Sequence, residues 1–352
     1  MKKQGKIIVK DWLTQSVILT GMGILLLLLF ITDILLGSVF IPFRQGIGAL
    51  FSAGHVDETI RVIILEFRLP KAITAVLTGL ALSVSGLQMQ TIFRNPLAGP
   101  YVLGISAGAS LGVALFALGF SSFLTFGIFS GTGSWSLALV AWLGAFLVML
   151  LVLFVSARVN DNMTILILGI LFTSAASAIV SILQYFSSEA MLKSFIVWTM
   201  GSLGGVTFQQ LKILVVATSV GLLTAFARVK DLNAFLLGET YARSLGVNII
   251  RSRLAIFFSA SLLAGTITAF CGPIGFVGIA VPHLARVIFR TANHLVLLPG
   301  TVLIGANMML LSDIIAQLPG LQATLPINSV TALLGIPVVV WMIVKNRKFT
   351  QV

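Results

Sequence analysis

The sequence is a succession of long apolar runs separated by short segments that carry charge, glycine or proline. Of its 352 residues, 58% are hydrophobic and only 9% are charged, and the mean hydropathy is +1.10. A helix of about 20 apolar residues crosses the roughly 30 Å hydrocarbon core of a bilayer. The chain therefore falls outside the soluble globular range and is predicted to be an all-α membrane protein with a single transmembrane domain over residues 1–352.

The apolar runs give ten candidate spans. The first follows four lysines and is too long for the apolar part of a signal peptide, so we interpret it as a retained span. An even number of spans places both ends of the chain on one side, and sixteen of the 22 Lys and Arg residues fall on that side. This asymmetry predicts cytoplasmic termini in a bacterial inner membrane. The candidate spans lie near 16–40, 70–91, 98–119, 135–156, 163–186, 210–227, 253–271, 275–289, 296–318 and 327–344.

Residue patterns that would carry enzymatic chemistry are absent from the sequence. There is no P-loop motif, so we expect no nucleotide hydrolysis by this chain and assign it no enzyme activity. His55, His283 and His294 lack metal-ligand spacing, and no metal or other cofactor is expected. His283 is interpreted as a hydrogen-bonded packing residue, and Cys271, inside an apolar run, as a buried small hydrophobe.

Two carboxylates, Asp33 and Asp313, fall inside candidate spans. An ionisable group at the centre of a membrane helix costs about 2.5–3.5 kcal/mol on insertion scales and usually serves a function. Both lie toward the outer ends of their spans, which favours a capping or interhelical role. An ion-coupled transporter, which would need carboxylates near the midplane, is the disfavoured alternative.

Two candidate spans are interrupted by glycine and proline, in "NPLAGPYVLGISAGASLG" and "CGPIGFVGIAVPHLAR". Small residues let membrane helices approach closely, and this is the simpler explanation. The second explanation is a substrate path, because non-helical backbone at membrane depth occurs only where it is buried in protein or lines a cavity.

The longest connection assigned to the cytoplasm, residues 228–253, reads as two short helices. Asp231 is expected to cap the first, Gly238 to separate the two, and Gly246 to end the second. Two-turn helices are too short to be stable alone in water. Either the segment packs on its own span ends or a soluble partner docks against it.

Glu239 and Arg243 stand four residues apart on the second of these helices. In this order the two side chains form a favourable pair on a helix surface, worth about 0.2–0.5 kcal/mol. We expect the pair to form on the face that a partner would meet.

Six segments in order along the chain resemble the permease subunits of type II ABC importers, the FecCD-like family that takes up ferric siderophores, haem and vitamin B12. The resemblance implies ten spans per subunit, in agreement with the count from the apolar runs. The segments are "RLPKAITAVLTGLALSVSGLQMQTIFRNPLAGPYVLGISAGASLG" (68–112), "WTMGSLGGVT" (198–207), "LLGETYARSLGVN" (236–248), "GPIGFVGIAVPHLAR" (272–286), "LLPGTVLIGANMMLLSDIIA" (297–316) and "LPINSVTALLGIPVVVWMI" (325–343).

The resemblance also implies partners. Two permease subunits, identical or related, would form the path, two ABC ATPase subunits would dock on the cytoplasmic loops, and a substrate-binding protein would dock outside. On this basis the surface that contacts the ATPase comprises Gly238, Glu239, Ala242, Arg243, Leu245 and Gly246.

The resemblance further assigns docking, gate and pathway residues. Arg68 and Lys71 would meet acidic side chains of the binding protein. The cytoplasmic gate would comprise Asn95, Leu97, Asn162 and Met163, and the path would be lined by Thr173, Ser174, Ser177 and Ser181, although such a stripe equally serves helix packing.

The substrate is expected to be a ferric siderophore, with vitamin B12 or haem as the alternative. The vitamin B12 importer carries Arg where this chain has Lys71 and again where it has Gln317. Lysine lacks the bidentate fork of a guanidinium, so docking is expected to differ from that of the vitamin B12 importer.

Overall fold

The computed structural model describes residues 2–37, 41–51, 57–119, 134–159, 161–317 and 324–345. Throughout these ranges the regular structure is helical, with no strand. A π-helical stretch, Ile63–Arg68, lies inside the third helix. In chain order the helices are α1 (Lys2–Leu35), α2 (Phe43–Phe51), α3 (Glu58–Ile92), α4 (Ile105–Gly119), α5 (Ser134–Arg158), α6 (Asn162–Tyr185), α7 (Glu189–Thr199), α8 (Phe208–Ala227), α9 (Val229–Leu236), α10 (Glu239–Ser244), α11 (Ile249–Cys271), α12 (Val277–Phe289), α13 (His294–Ala316) and α14 (Ile327–Lys345).

Each candidate span corresponds to one helix. Over the described ranges, eight helices are long and apolar enough to cross a membrane, namely α1, α3, α5, α6, α8, α11, α13 and α14. Two shorter apolar helices, α4 and α12, match the remaining two candidates. The starts of these two were predicted too early, because residues 98–104 and 272–276 form turns and the helices begin only at Ile105 and Val277.

Two helices outside the spans were not anticipated. α2 and α7 follow α1 and α6, in segments that the sequence analysis treated as connections. At nine and eleven residues both are too short to cross a bilayer.

Helices α3, α11 and α13 form the buried centre of the protein. In their most apolar stretches 83%, 72% and 67% of the residues are buried, compared with 11% in α1 and 17% in α6. Several polar side chains in this centre find partners on a neighbouring helix. Gln88 of α3, for example, donates to the hydroxyl of Ser259 on α11 at 3.0 Å.

Glycine brings the central helices into close contact. A Cβ built on Gly86 of α3 would lie 1.7 Å from the carbonyl oxygen of Gly278 on α12, and one on Gly108 of α4 would lie 2.6 Å from the carbonyl oxygen of Gly144 on α5. These distances are far below any van der Waals contact, so the backbones can approach only without side chains. The small-residue explanation of the two interrupted segments is confirmed.

The two interrupted segments also meet each other. The Tyr101 hydroxyl, in the turns before α4, accepts the backbone N–H of Ile274 at 3.3 Å, in the turns before α12. Ser202 donates its N–H to the carbonyl of Cys271 at 2.8 Å. The non-helical backbone is therefore packed against protein, as membrane depth requires.

Candidate functional site

Helices α9 and α10 lie at the end of the helix bundle where α3, α5, α8 and α12 end and α6, α11 and α13 begin. We call this the α10 end. Asp231 was expected to cap α9, but the helix starts two residues earlier, after Arg228. The Asp231 carboxylate instead accepts from Ser252 Oγ at 2.7 Å and from Arg228 at 3.2 Å. It fastens α9 to the first turn of α11.

Glycine sets both ends of α10. Gly238 has a φ of 103°, a conformation that side-chain-bearing residues rarely adopt. At the other end the N–H of Val247 bonds to the carbonyl of Ala242 and that of Gly246 to the carbonyl of Arg243. This is the Schellman arrangement with glycine in the left-handed position, so the prediction that Gly246 ends the helix is confirmed.

The six residues assigned to the ATPase contact differ in their solvent exposure. Arg243, Leu245 and Gly246 are exposed, whereas Gly238 and Ala242 are buried. Those two cannot belong to the exposed surface in this structure, because their side of α10 packs toward the bundle.

Two residues that the sequence analysis omitted belong to that surface. Leu237 is 62% exposed and Tyr241 52% exposed, beside Leu245 at 59%. Together with Arg243 they form what we call the α10 patch. No pattern in the sequence separates them from Leu232 and Phe235 of the same segment, which are buried.

Glu239 does not pair with Arg243. Its Oε1 accepts from Arg253 Nη2 at 2.7 Å, and the guanidinium of Arg253, 1% exposed, also donates to the carbonyl of Val159 at 3.0 Å. The expected pair is wrong because a buried cation on α11 is a stronger partner for the carboxylate than an exposed one a turn away.

The first gate turn follows α3. Asn95 Oδ1 accepts the N–H of Leu97 at 2.9 Å, and Leu97 is 47% exposed. The carbonyl of Pro96 is bonded to Nε2 of His283 on α12 at 2.7 Å. The interpretation of His283 as a hydrogen-bonded packing residue is confirmed.

The second gate turn joins α5 to α6. Asp161 caps α6 by accepting from the N–H groups of Met163 and Thr164 at 3.3 and 2.9 Å and from the Thr164 hydroxyl at 2.7 Å. These bonds hold the pKa of the Asp161 carboxyl below its ordinary value. Met163 is 58% exposed, and the side chain of Asn162 lies outside the described residues.

A polar chain also joins α9 to α3 and α13. Oδ1 of Asn233 accepts the backbone N–H of His294 at 2.8 Å and contacts its Nδ1 at 2.9 Å, while His294 Nε2 lies 2.9 Å from the Thr91 hydroxyl. Near it, Arg286 donates to Gln90 Oε1 at 2.6 Å. No sequence pattern indicated these contacts, since they join residues far apart in the chain.

A cavity of about 430 Å³ opens beside α6. Its polar lining is made of hydroxyl groups on three segments, and none of the described residues that line it is charged. Thr173, Ser177 and Ser181 contribute from α6, facing Ser106 and Ser110 of α4. The fourth pathway candidate, Ser174, is exposed and is not among the lining residues.

The opposite end of the bundle holds a buried cluster of charges, which we call the outer cluster and which comprises Asp33, Arg68, Lys71, Asp313 and Gln317. Lys71 Nζ lies 3.0 Å from Asp313 Oδ1, and Gln317 donates to Asp313 Oδ2 at 2.6 Å. Asp33 lies beside Asp313. The expected interhelical role of the two aspartates is confirmed, because they join α1, α3 and α13.

Arg68 lies inside the bundle. It is 8% exposed and donates to the carbonyls of Ile34 and Leu35 at 3.0 and 2.7 Å, at the end of α1. Lys71 is more accessible, at 18% of its side chain, and lines a cavity of about 570 Å³ with Asp313. The docking role of both stays a prediction, and Arg68 as placed here offers no exposed cation.

Comparison with known proteins identifies the chain. The model of the FecCD transport family matches residues 25–345. The chain belongs to the FecCD transport family. The vitamin B12 import system permease BtuC of Klebsiella pneumoniae is 34% identical over 329 residues, which cover 94% of both chains, and that of Salmonella paratyphi A is 36% identical over 287 residues, 82% of this chain and 85% of the relative.

A solved structure described as an inward-facing metal-chelate type ABC transporter superposes with a TM-score of 0.79 and 30% identity, covering 94% of this chain and 99% of that one. This FecCD protein is therefore a multi-pass membrane permease of an ABC importer, and it has the type II importer fold. The buried contacts of α9 and α10, the two gate turns and the hydroxyl-lined cavity belong to a transport subunit.

Proposed function

We propose that the protein is one of two permease subunits, identical or related, that carry a ferric siderophore across the cytoplasmic membrane, driven by two separate ATPase subunits and supplied by an external binding protein. In this arrangement the α10 end and both termini face the cytoplasm. The proposal is supported above all by the α10 patch, an exposed group of apolar side chains on and beside a short helix outside the spans.

The α10 patch has the composition of a protein contact. Leu237, Tyr241 and Leu245 are each more than half exposed, with Arg243 beside them. Aromatic residues and Arg are enriched where proteins meet, and an apolar group kept in water without a partner is unfavourable. An ATPase subunit that docks here would cover the patch and could displace α10.

The cavity beside α6 agrees with a bulky substrate whose chemical groups the path recognises only weakly. Hydroxyl groups of Thr173, Ser177 and Ser181 can hydrogen-bond a passing ligand, and the described lining residues, which carry no charge, neither trap an anionic chelate nor repel one. Most of the selectivity would then belong to the binding protein. The exposed flank of α6 leaves room for a second permease subunit to complete the path.

Vitamin B12 is the second candidate substrate, because the relatives named above are vitamin B12 permeases. Two positions argue against it. Lys71 and Gln317, which are both Arg in the vitamin B12 importer, converge here on the carboxylate of Asp313. The outer surface of this permease is thus built differently where a binding protein would dock.

The test is uptake by a deletion strain, with and without the restored gene, of labelled ferric siderophore, haem and cobalamin. We expect restored uptake of the iron chelate. Restored uptake of cobalamin or haem alone would replace the substrate and keep the architecture. Cells whose ATPase partner carries a substitution in its P-loop are the control, since uptake must stop there if ATP drives it.

The same cells test the coupling role of α10. Glu239→Arg places a like charge against Arg253, and we expect it to abolish uptake while the protein stays in the membrane. Disappearance of the protein from the membrane would instead indicate a role in folding.

A further inference from the structure

Arg253 is a buried cation in the first turns of α11 that holds two other elements of the α10 end at once. Its side chain is 1% exposed. One terminal nitrogen bonds to the carboxylate of Glu239, the first residue of α10, and the other to the carbonyl of Val159, immediately after α5. Val159 stands two residues before Asp161, which caps α6 at the second gate turn.

We propose that Arg253 is a positioning residue that transmits displacement of α10 to the gate turn between α5 and α6. The inference rests on the proposed function, in which an ATPase displaces α10, and on the gate role that the resemblance assigns to this turn. It adds the physical link between α10 and the turn, a residue of α11 that belongs to neither.

The geometry suits transmission because the guanidinium is planar and rigid. Its donors have a fixed spacing, so a displaced Glu239 carboxylate reorients the whole group and with it the bond to Val159. Separating Glu239 from Arg253 would withdraw an opposite charge from a buried guanidinium, which is unfavourable. The three groups are therefore expected to move together.

The first gate turn has different supports. The carbonyl of Pro96 is held by His283, and Asn95 bonds within the turn. A Cβ built on Gly238 would lie 3.4 Å from Nη1 of Arg94, so the end of α3 approaches the start of α10 directly. Loss of Arg253 should therefore remove the response of the second gate turn to ATP and leave the response of the first gate turn unchanged.

The experiment uses the full transporter, with its ATPase and binding protein, in liposomes. Met163→Cys reports on the second turn and Leu97→Cys on the first, because both side chains are about half exposed. A water-soluble maleimide is applied with and without ATP. The native Cys271, 2% exposed, gives a low background.

Arg253→Met is compared with Arg251→Met, the exposed cation two residues earlier on the same helix. We expect Arg253→Met to abolish the ATP-dependent change of labelling at position 163, to preserve it at position 97, and to lower the substrate imported per ATP hydrolysed by about tenfold. Arg251→Met should leave all three unchanged. If Arg253→Met does not assemble, Arg253→Lys replaces it, since one ammonium cannot reproduce the planar fork and should weaken the response at position 163.

Two results would overturn the proposal. Either position 163 responds to ATP in the Arg253 variants as it does in the Arg251 variant, or both reporters lose their response together, which would indicate a general structural role. A wild-type transporter without ATP-driven uptake would refute the proposed function itself and is distinguished by that measurement.

Discussion

Replacing Lys71 by methionine tests whether this side chain acts inside the protein or on its surface. Lys71 and Asp313 are 3.0 Å apart, and the Asp313 side chain is only 2% exposed. At that separation the attraction between unit charges is about 5 kcal/mol for an effective dielectric constant of about 20. Lys71→Met leaves the carboxylate buried without its cation and beside Asp33, and we expect it to cost about 3–5 kcal/mol of stability.

The matched variants form a double-mutant cycle. Asp313→Asn alone should cost less, because Lys71 lines the 570 Å³ cavity and its ammonium can turn toward water. The double variant removes both charges and should recover most of the loss seen in Lys71→Met. Each variant is purified in detergent and its thermal unfolding midpoint is compared with that of the wild type, alongside uptake in cells.

The cycle distinguishes a stabilising role of Lys71 inside the protein from a role in docking the binding protein. A Lys71→Met protein as stable as the wild type that fails to transport would refute the reasoning and place Lys71 in contact with the binding protein. A double variant no more stable than Lys71→Met would also refute it, because the loss would then not arise from an unpaired charge.

Three further outcomes are expected. In Gly86→Ala the new Cβ would lie 1.7 Å from the carbonyl oxygen of Gly278, so α3 and α12 must move apart by about 1.7 Å to restore an ordinary contact. We expect the free energy of unfolding to fall by about 1–3 kcal/mol or more, seen as a lower unfolding midpoint. Gly23→Ala is the control and should be neutral, because nothing lies within 4 Å of its Cβ. Asp161→Ala removes the cap of α6 and should speed amide hydrogen exchange in its first turn. Folding lowers the pKa of Asp161, so the stabilisation of the folded state by its carboxylate is present above the unfolded pKa of 3.8 and is lost as the pH falls through the lower folded pKa. Amide hydrogen exchange measured in acid would show this loss. Cys271 should react with maleimide only after unfolding.

Sequence patterns predicted the features that depend on neighbouring residues. The eight long apolar helices and the two shorter ones follow from runs of apolar residues. The end of α10 follows from Gly246, whose left-handed conformation satisfies carbonyls of the same helix. Each of these requires only local chemistry.

Contacts between distant residues escaped prediction. Glu239 had an acceptable partner four residues away in Arg243, and nothing local could show that Arg253 would be buried nearby and take its place. In the same way Lys71 was assigned only to docking of the binding protein, because its partner Asp313 is on another helix and no local pattern joins the two. A local pattern can propose a pair, but burial decides between competing partners, and burial depends on the whole fold.

The hydroxyl groups of α6 show how much a periodic pattern can add. Thr173, Ser174 and Ser181 each donate to the carbonyl four residues earlier, at 2.8 to 3.0 Å, so none needs water or a substrate to be satisfied in lipid. Polarity alone therefore does not identify a path. Spacing does more, because residues 173, 177 and 181 recur every four positions on one face, and these three line the cavity, whereas Ser174 does not. The facing hydroxyls of α4 agree with a pathway wall, and the pathway role of these residues stays a prediction.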